Sequence, residues 1–146
     1  MSEEIIRIMK KTREYRERAS RYLQNYEWEM EKRDREKAGE ALWGVISCLI
    51  NALYFLENGE PSTKHRDSAK FAIQFIISTS GEKDGKELVD IYGKVEKFHA
   101  NFYHAFLNEE EFKKTAGDIL RLVEYLDHAL SDKLSKAEAE IKAATG

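Results

Sequence analysis

Arg121 and His128 are the residues of this chain whose types and spacing come nearest to a reaction. They lie seven apart in a stretch of helical periodicity, so two turns separate them on one side of a helix, with Tyr125 between. Where two such helices meet across a dimer axis, the pair enters a shared cleft. The guanidinium can then stabilise charge building on a phosphate while the imidazole moves a proton, which makes them the candidate catalytic residues. The plain alternative is a solvated face, because the apolar stripe Phe112, Ala116, Ile119, Val123, Leu126 and Leu130 runs opposite.

A second polar group is Lys97, Asn101 and His104, near Asn108. Lysine, amide and imidazole on one face can hold a phosphate or the edge of a base, so these are candidate substrate-binding residues. Solvated surface is again the competing reading. His99 falls within the inward stripe Leu88, Ile91, Tyr92, Val95, Phe102 and Phe106, and is expected as a buried, hydrogen-bonded core imidazole. Between Arg7 and Arg21 there are seven basic and two acidic residues. That stripe can track phosphates, or be a solvated face with Glu14–Arg18 and Glu17–Arg21 as i, i+4 pairs.

Several chemistries find no motif. The histidines, His65, His99, His104 and His128, include no i, i+4 pair, and no HExxH or Cys/His cluster occurs, so neither metal nor cofactor is expected. There is no glycine-rich phosphate loop and no GxSxG elbow.

The elements that must position these residues are helices. One proline and eight glycines in 146 residues leave little punctuation. The first helix begins at Ser2, an N-cap followed by Glu3 and Glu4, and buries Ile5, Met9, Ala19, Leu23, Tyr26 and Met30. Neither Gly nor Pro appears between Arg7 and Ala38, yet one helix from Ser2 to Leu56 would span more than about 75 Å. A tight turn is therefore placed near Arg33–Arg35, with Asp34 capping the second helix. That helix contains Ala41–Leu56, sixteen residues without a charge in a chain that is 35% charged. It reads as the central helix, apolar nearly all round, with small residues Ala41, Gly44, Cys48 and Ala52 along one flank. Asn58-Gly59 and Pro61 end it.

The third helix is expected from Thr63 to Thr79, capped by Ser62 or Thr63, with Ala69, Ile73, Ile76 and Ile77 inward. Residues 78–85 read as a loop, Lys86 to Leu107 as the fourth helix, and the fifth starts after Asn108. The expectation is an all-α antiparallel bundle of about five helices over residues 1–134, with a frayed tail over 135–146. Trp43, Ile50, Tyr54, Phe71 and Phe75 are surplus apolar faces that suit a homodimer. A membrane role is not expected, because the uncharged run is short and contains Ser47 and Asn51. The lone Cys48 and the charged N-terminus fit a reducing cytoplasm. A net charge of −3 gives the whole molecule no field that favours nucleic acid.

Two segments together carry a resemblance. Residues 35–57, REKAGEALWGVISCLINALYFLE, resemble the second helix of the archaeal PaREP repeat-family proteins. Residues 97–106, KFHANFYHAF, resemble that family's His-x-Asn-Phe-Tyr segment, here His99, Asn101, Phe102 and Tyr103, and HRD at His65–Asp67 fits the order. The resemblance covers roughly residues 15–130. It implies the HEPN superfamily of helical bundles, which commonly dimerise and include metal-independent ribonucleases of toxin or defence systems. Their motif, Arg, four to six residues, then His, implies catalytic roles for Arg121 and His128, with Leu122 standing where a polar residue is usual. KRDRE replaces the family's usual Gly-Asp turn. Other members bind nucleotides or dock partners such as a small nucleotidyltransferase. The implied function is thus a component that binds or cleaves RNA or nucleotide; the alternative is a non-catalytic helical interaction protein.

Overall fold

The computed structural model describes residues 2–99 and 107–145. Five helices follow one another: α1 Ser2–Glu31, α2 Arg35–Asn58, α3 His65–Ser80, α4 Glu82–His99 and α5 Glu109–Thr145. The described residues contain no strand, so the molecule is the helical bundle that its apolar periodicity predicts.

α2 is the axis of the bundle and packs against each of the other four helices. Leu42, Val45, Ile46, Leu49 and Leu53 are fully covered. Each such aliphatic side chain contributes about 1.5–3 kcal/mol by leaving water. α2 is also long and apolar enough to cross a membrane, but 67% of its most apolar stretch is buried inside the bundle. The facing stripe of α5 is buried as the sequence predicts, from Phe112 to Leu130. Leu122 is buried too: it faces the core, which is why it is not polar.

The α1–α2 turn takes three residues without glycine or proline. Arg33 adopts φ 60°. The Asp34 N–H donates to the Glu29 carbonyl at 3.0 Å and the Arg33 N–H to that of Met30 at 3.1 Å. This is a Schellman ending with arginine at the position that favours glycine, at a cost of about 1–2 kcal/mol. Asp34 then caps α2, accepting from the Lys37 N–H at 3.1 Å. At the other end Gly59, φ 74°, donates to the Phe55 carbonyl at 2.8 Å.

Four expectations are corrected. α3 begins two residues late, at His65, with Lys64 at the cap and no side-chain cap bond. Ser62 is drawn off to Lys64 and Ser68 instead. The loop expected over 78–85 is a single break at Gly81, φ 85°. Ser78, Thr79 and Ser80 are helical, and their hydroxyls bond carbonyls of Phe75 and Ile76 on the preceding turn. Ile77 is exposed rather than inward. His99 is exposed rather than in the core: Phe98, fully buried and stacked on Phe112, takes the core position of that last turn and turns His99 outward.

The apolar faces expected to be surplus are engaged within the chain. Ile50 and Phe75 are buried, Tyr54 meets Phe71 edge-on at 5.2 Å, and Trp43 stacks on His99. Beyond residue 134, α5 continues as helix through Thr145. Leu134, just before that stretch, is buried, and within it Glu138 pairs with Arg13 of α1.

Candidate functional site

Ser47 and Asn51 are one turn apart in the most apolar helix of the chain, and both are half-buried. Among the described residues neither side chain has a hydrogen-bond partner within the protein. Neither leaves a fully buried polar atom unsatisfied, so both are open to solvent or to a ligand. What lies before both is a cavity of about 170 Å³ between α2, the α2–α3 connection and α4, rimmed by Trp43.

The neighbouring elements are fixed locally. Gly59 and Pro61 turn the chain out of α2. The Ser68 hydroxyl donates to Ser62 Oγ at 2.6 Å and the Ser62 hydroxyl to the Lys64 carbonyl at 3.2 Å, which knots the connection. His65 therefore begins α3 facing α4, with Nε2 2.9 Å from Glu96 Oε2. Tyr92 lies one turn before Glu96. Burial first, then the hydrogen bond and charge of Glu96, push its phenol far above the ordinary tyrosine range. At the rim, Trp43 and His99 stack with ring centroids 4.0 Å apart and planes at 14°. His99 Nδ1 is 3.9 Å from Glu40 Oε2.

This arrangement offers an aromatic face, an amide with both donor and acceptor, hydroxyls, and an imidazole–carboxylate pair able to move a proton at the mouth. A cavity of about 150 Å³ holds one benzene ring, so this one admits a single ring system. Among the described residues no group of His, Cys, Asp or Glu is arranged to hold a metal ion.

Arg121 and His128 share a different hollow, an open one bounded by α5, the start of α4 and the end of α3. Arg121 Nη1 is 2.8 Å from Glu87 Oε1, and Tyr125 OH is bonded to Thr79 Oγ1. Asp84, Glu87 and Glu124 give that hollow three carboxylates, so an incoming phosphodiester meets negative charge around a guanidinium already paired. Lys97 lies in α4, but its side chain is outside the described residues, and so are Asn101 and His104 altogether.

The basic stripe of α1 is largely occupied. Arg7 pairs with Glu4, Lys11 with Glu14, Arg13 with Glu138 and Arg16 with Asp127, while Arg18 lies over the Tyr15 ring at 5.6 Å.

Ser47 and Asn51, which in the sequence speak only against a membrane span, line the cavity. Their i, i+4 spacing in an uncharged helix was the available signal, since it puts two polar groups on one side of a buried element. No signal of that kind announces the His65–Glu96 pair, which spans two helices.

No protein of curated function and no solved structure matches this chain. The family model of the archaeal PaREP1/PaREP8 family matches residues 14–123. That is well over half of the sequence, and the chain belongs to the archaeal PaREP1/PaREP8 family.

Proposed function

We propose that the protein is a HEPN-like helical module that binds a nucleotide-class ligand, its ring held in the cavity beside Trp43. The observation that carries this reading is the half-buried Asn51 amide, unpartnered among the described residues, in a ring-sized cavity with an indole at its rim. An amide reads the edge of a heterocycle and an indole takes its face, the combination by which unstacked bases are commonly held. Lys64 lines the same cavity and suits an attached phosphate, while His65 is held by Glu96.

The test is a fluorescence titration of the full chain with the four ribonucleosides and their monophosphates. Saturable quenching of Trp43 by at least one is expected, and its loss in Asn51→Leu with the helical content unchanged. No response to any of the eight compounds at millimolar concentration would refute the reading.

A ribonuclease centred on Arg121 and His128 is the second reading, favoured by their common hollow. The Glu87 ion pair and the surrounding carboxylates weigh against it, so binding without catalysis is preferred. A His128→Ala protein that cleaves RNA as the parent does, or a parent that cleaves none, removes the enzyme.

A further inference from the structure

A separate hollow of about 330 Å³ lies at the end of the bundle where the α1–α2 turn meets the start of α5. Three cations line it, Arg33, Arg35 and Lys113, against one carboxylate, Glu109. Lys113 holds that carboxylate at 3.4 Å. Arg35 Nη1 donates to the Leu107 carbonyl at 2.6 Å, which fixes the guanidinium against the wall. Its other N–H groups remain for a ligand, since a guanidinium carries five. The Arg33 side chain has no ion pair or hydrogen bond among the described residues, and its backbone is held in the left-handed region that glycine would occupy without strain. Met30 and Phe112 supply an apolar side to the same hollow.

Together these features describe a charge and shape to be matched. Three cations less one carboxylate leave an excess of two positive charges, and a phosphate monoester carries about −1.5 to −2 at neutral pH. Arginine forks suit phosphate oxygens in pairs, and the apolar side suits an organic substituent. We infer that this hollow binds a small organic phosphate monoester, with Arg33 as its principal ligand. This site shares no residue with the Trp43 cavity and goes beyond the reading given for it. The site gives a reason for an arginine at a strained position, because glycine there would ease the turn and remove the ligand.

The probes are inorganic phosphate and phenyl phosphate, titrated calorimetrically into the full chain at low and high salt. Phenyl phosphate is expected to bind the tighter of the two, with affinity that falls as salt rises. Arg33→Gly is expected to melt higher than the parent without ligand, yet to bind phenyl phosphate at least about ten-fold more weakly. Lys113→Gln, a change at an exposed side chain, is expected to weaken it several-fold without altering the fold. Unchanged affinity in both variants would overturn the assignment, as would no binding of either probe at millimolar concentration. Tight binding of a short single-stranded RNA with none of phenyl phosphate would also overturn it, making the hollow a nucleic-acid contact instead.

Discussion

The indole of Trp43 and the imidazole of His99 lie face to face, 4.0 Å apart and within 14° of parallel. Trp43 lines the Asn51 cavity, and the stack ties the end of α4 to α2. It also decides the position of a histidine whose place in the apolar stripe predicts burial. Trp43→Ala should therefore destabilise the fold by about 1–3 kcal/mol, less than a fully buried indole would, because Trp43 is only partly covered. Urea denaturation measures it; no loss would mean that the stack holds nothing in place.

Trp28 is the other indole and is 60% exposed. Trp28→Phe should change stability by no more than about 0.5 kcal/mol. It leaves Trp43 as the only tryptophan, so the emission maximum excited at the red edge, where tyrosine does not absorb, should move to shorter wavelength. A red-shifted spectrum in that variant would place Trp43 in water.

Tyr22 of α1 packs on Gly44 of α2 so closely that a Cβ there would lie 2.7 Å from the ring. Gly44→Ala should cost about 1–3 kcal/mol through displacement of the ring. In a Tyr22→Ala background the same change should instead stabilise by up to about 1 kcal/mol, the helix-propensity gain. Destabilisation of equal size in both backgrounds would show that the ring is not the obstacle.

The caps can be read individually. Asp34 accepts from the Lys37 N–H and Asn108 from the Glu111 N–H at 2.8 Å. Alanine at either should lower stability by about 0.5–2 kcal/mol. α3 has no side-chain cap, although Lys64 has the extended backbone a cap requires, φ −127° and ψ 132°. Lys64→Ser should accordingly raise the melting temperature; a drop would show that the lysine itself contributes.

Alkaline pH should destabilise the protein through Tyr92. Its phenol is raised above the unfolded value of 10.0, mainly by burial, and Tyr26 is shifted the same way. Cys48 is likewise raised from 9.0 by burial, partly offset by Arg18 and Arg21. A group raised in the fold contributes its full stability below the unfolded pKa. Above it, the unfolded chain releases the proton first and stability falls as pH climbs. The melting temperature should thus decline from about pH 9 upward, and less steeply in Tyr92→Phe. Lysine deprotonation acts on both proteins alike, so parallel curves would clear Tyr92.

What the sequence determined by itself is local and periodic. The uncharged run from Ala41 to Leu56 required a helix covered on several sides, and Asp34, Gly59 and Asn108 marked helix ends because capping depends on residues a few positions apart. The stripe of α5 followed from spacing alone, and the PaREP likeness rested on two contiguous segments. Tertiary structure decided which side chains meet. His65 finds Glu96 and Arg121 finds Glu87 from helices separated in sequence, and both pairings depend on how those helices cross, which no spacing within one helix reports. The same holds for Ser47 and Asn51. Their chemistry was visible, but the space in front of them exists only because α3 begins at His65 and α4 runs alongside, leaving one ring-sized gap against α2.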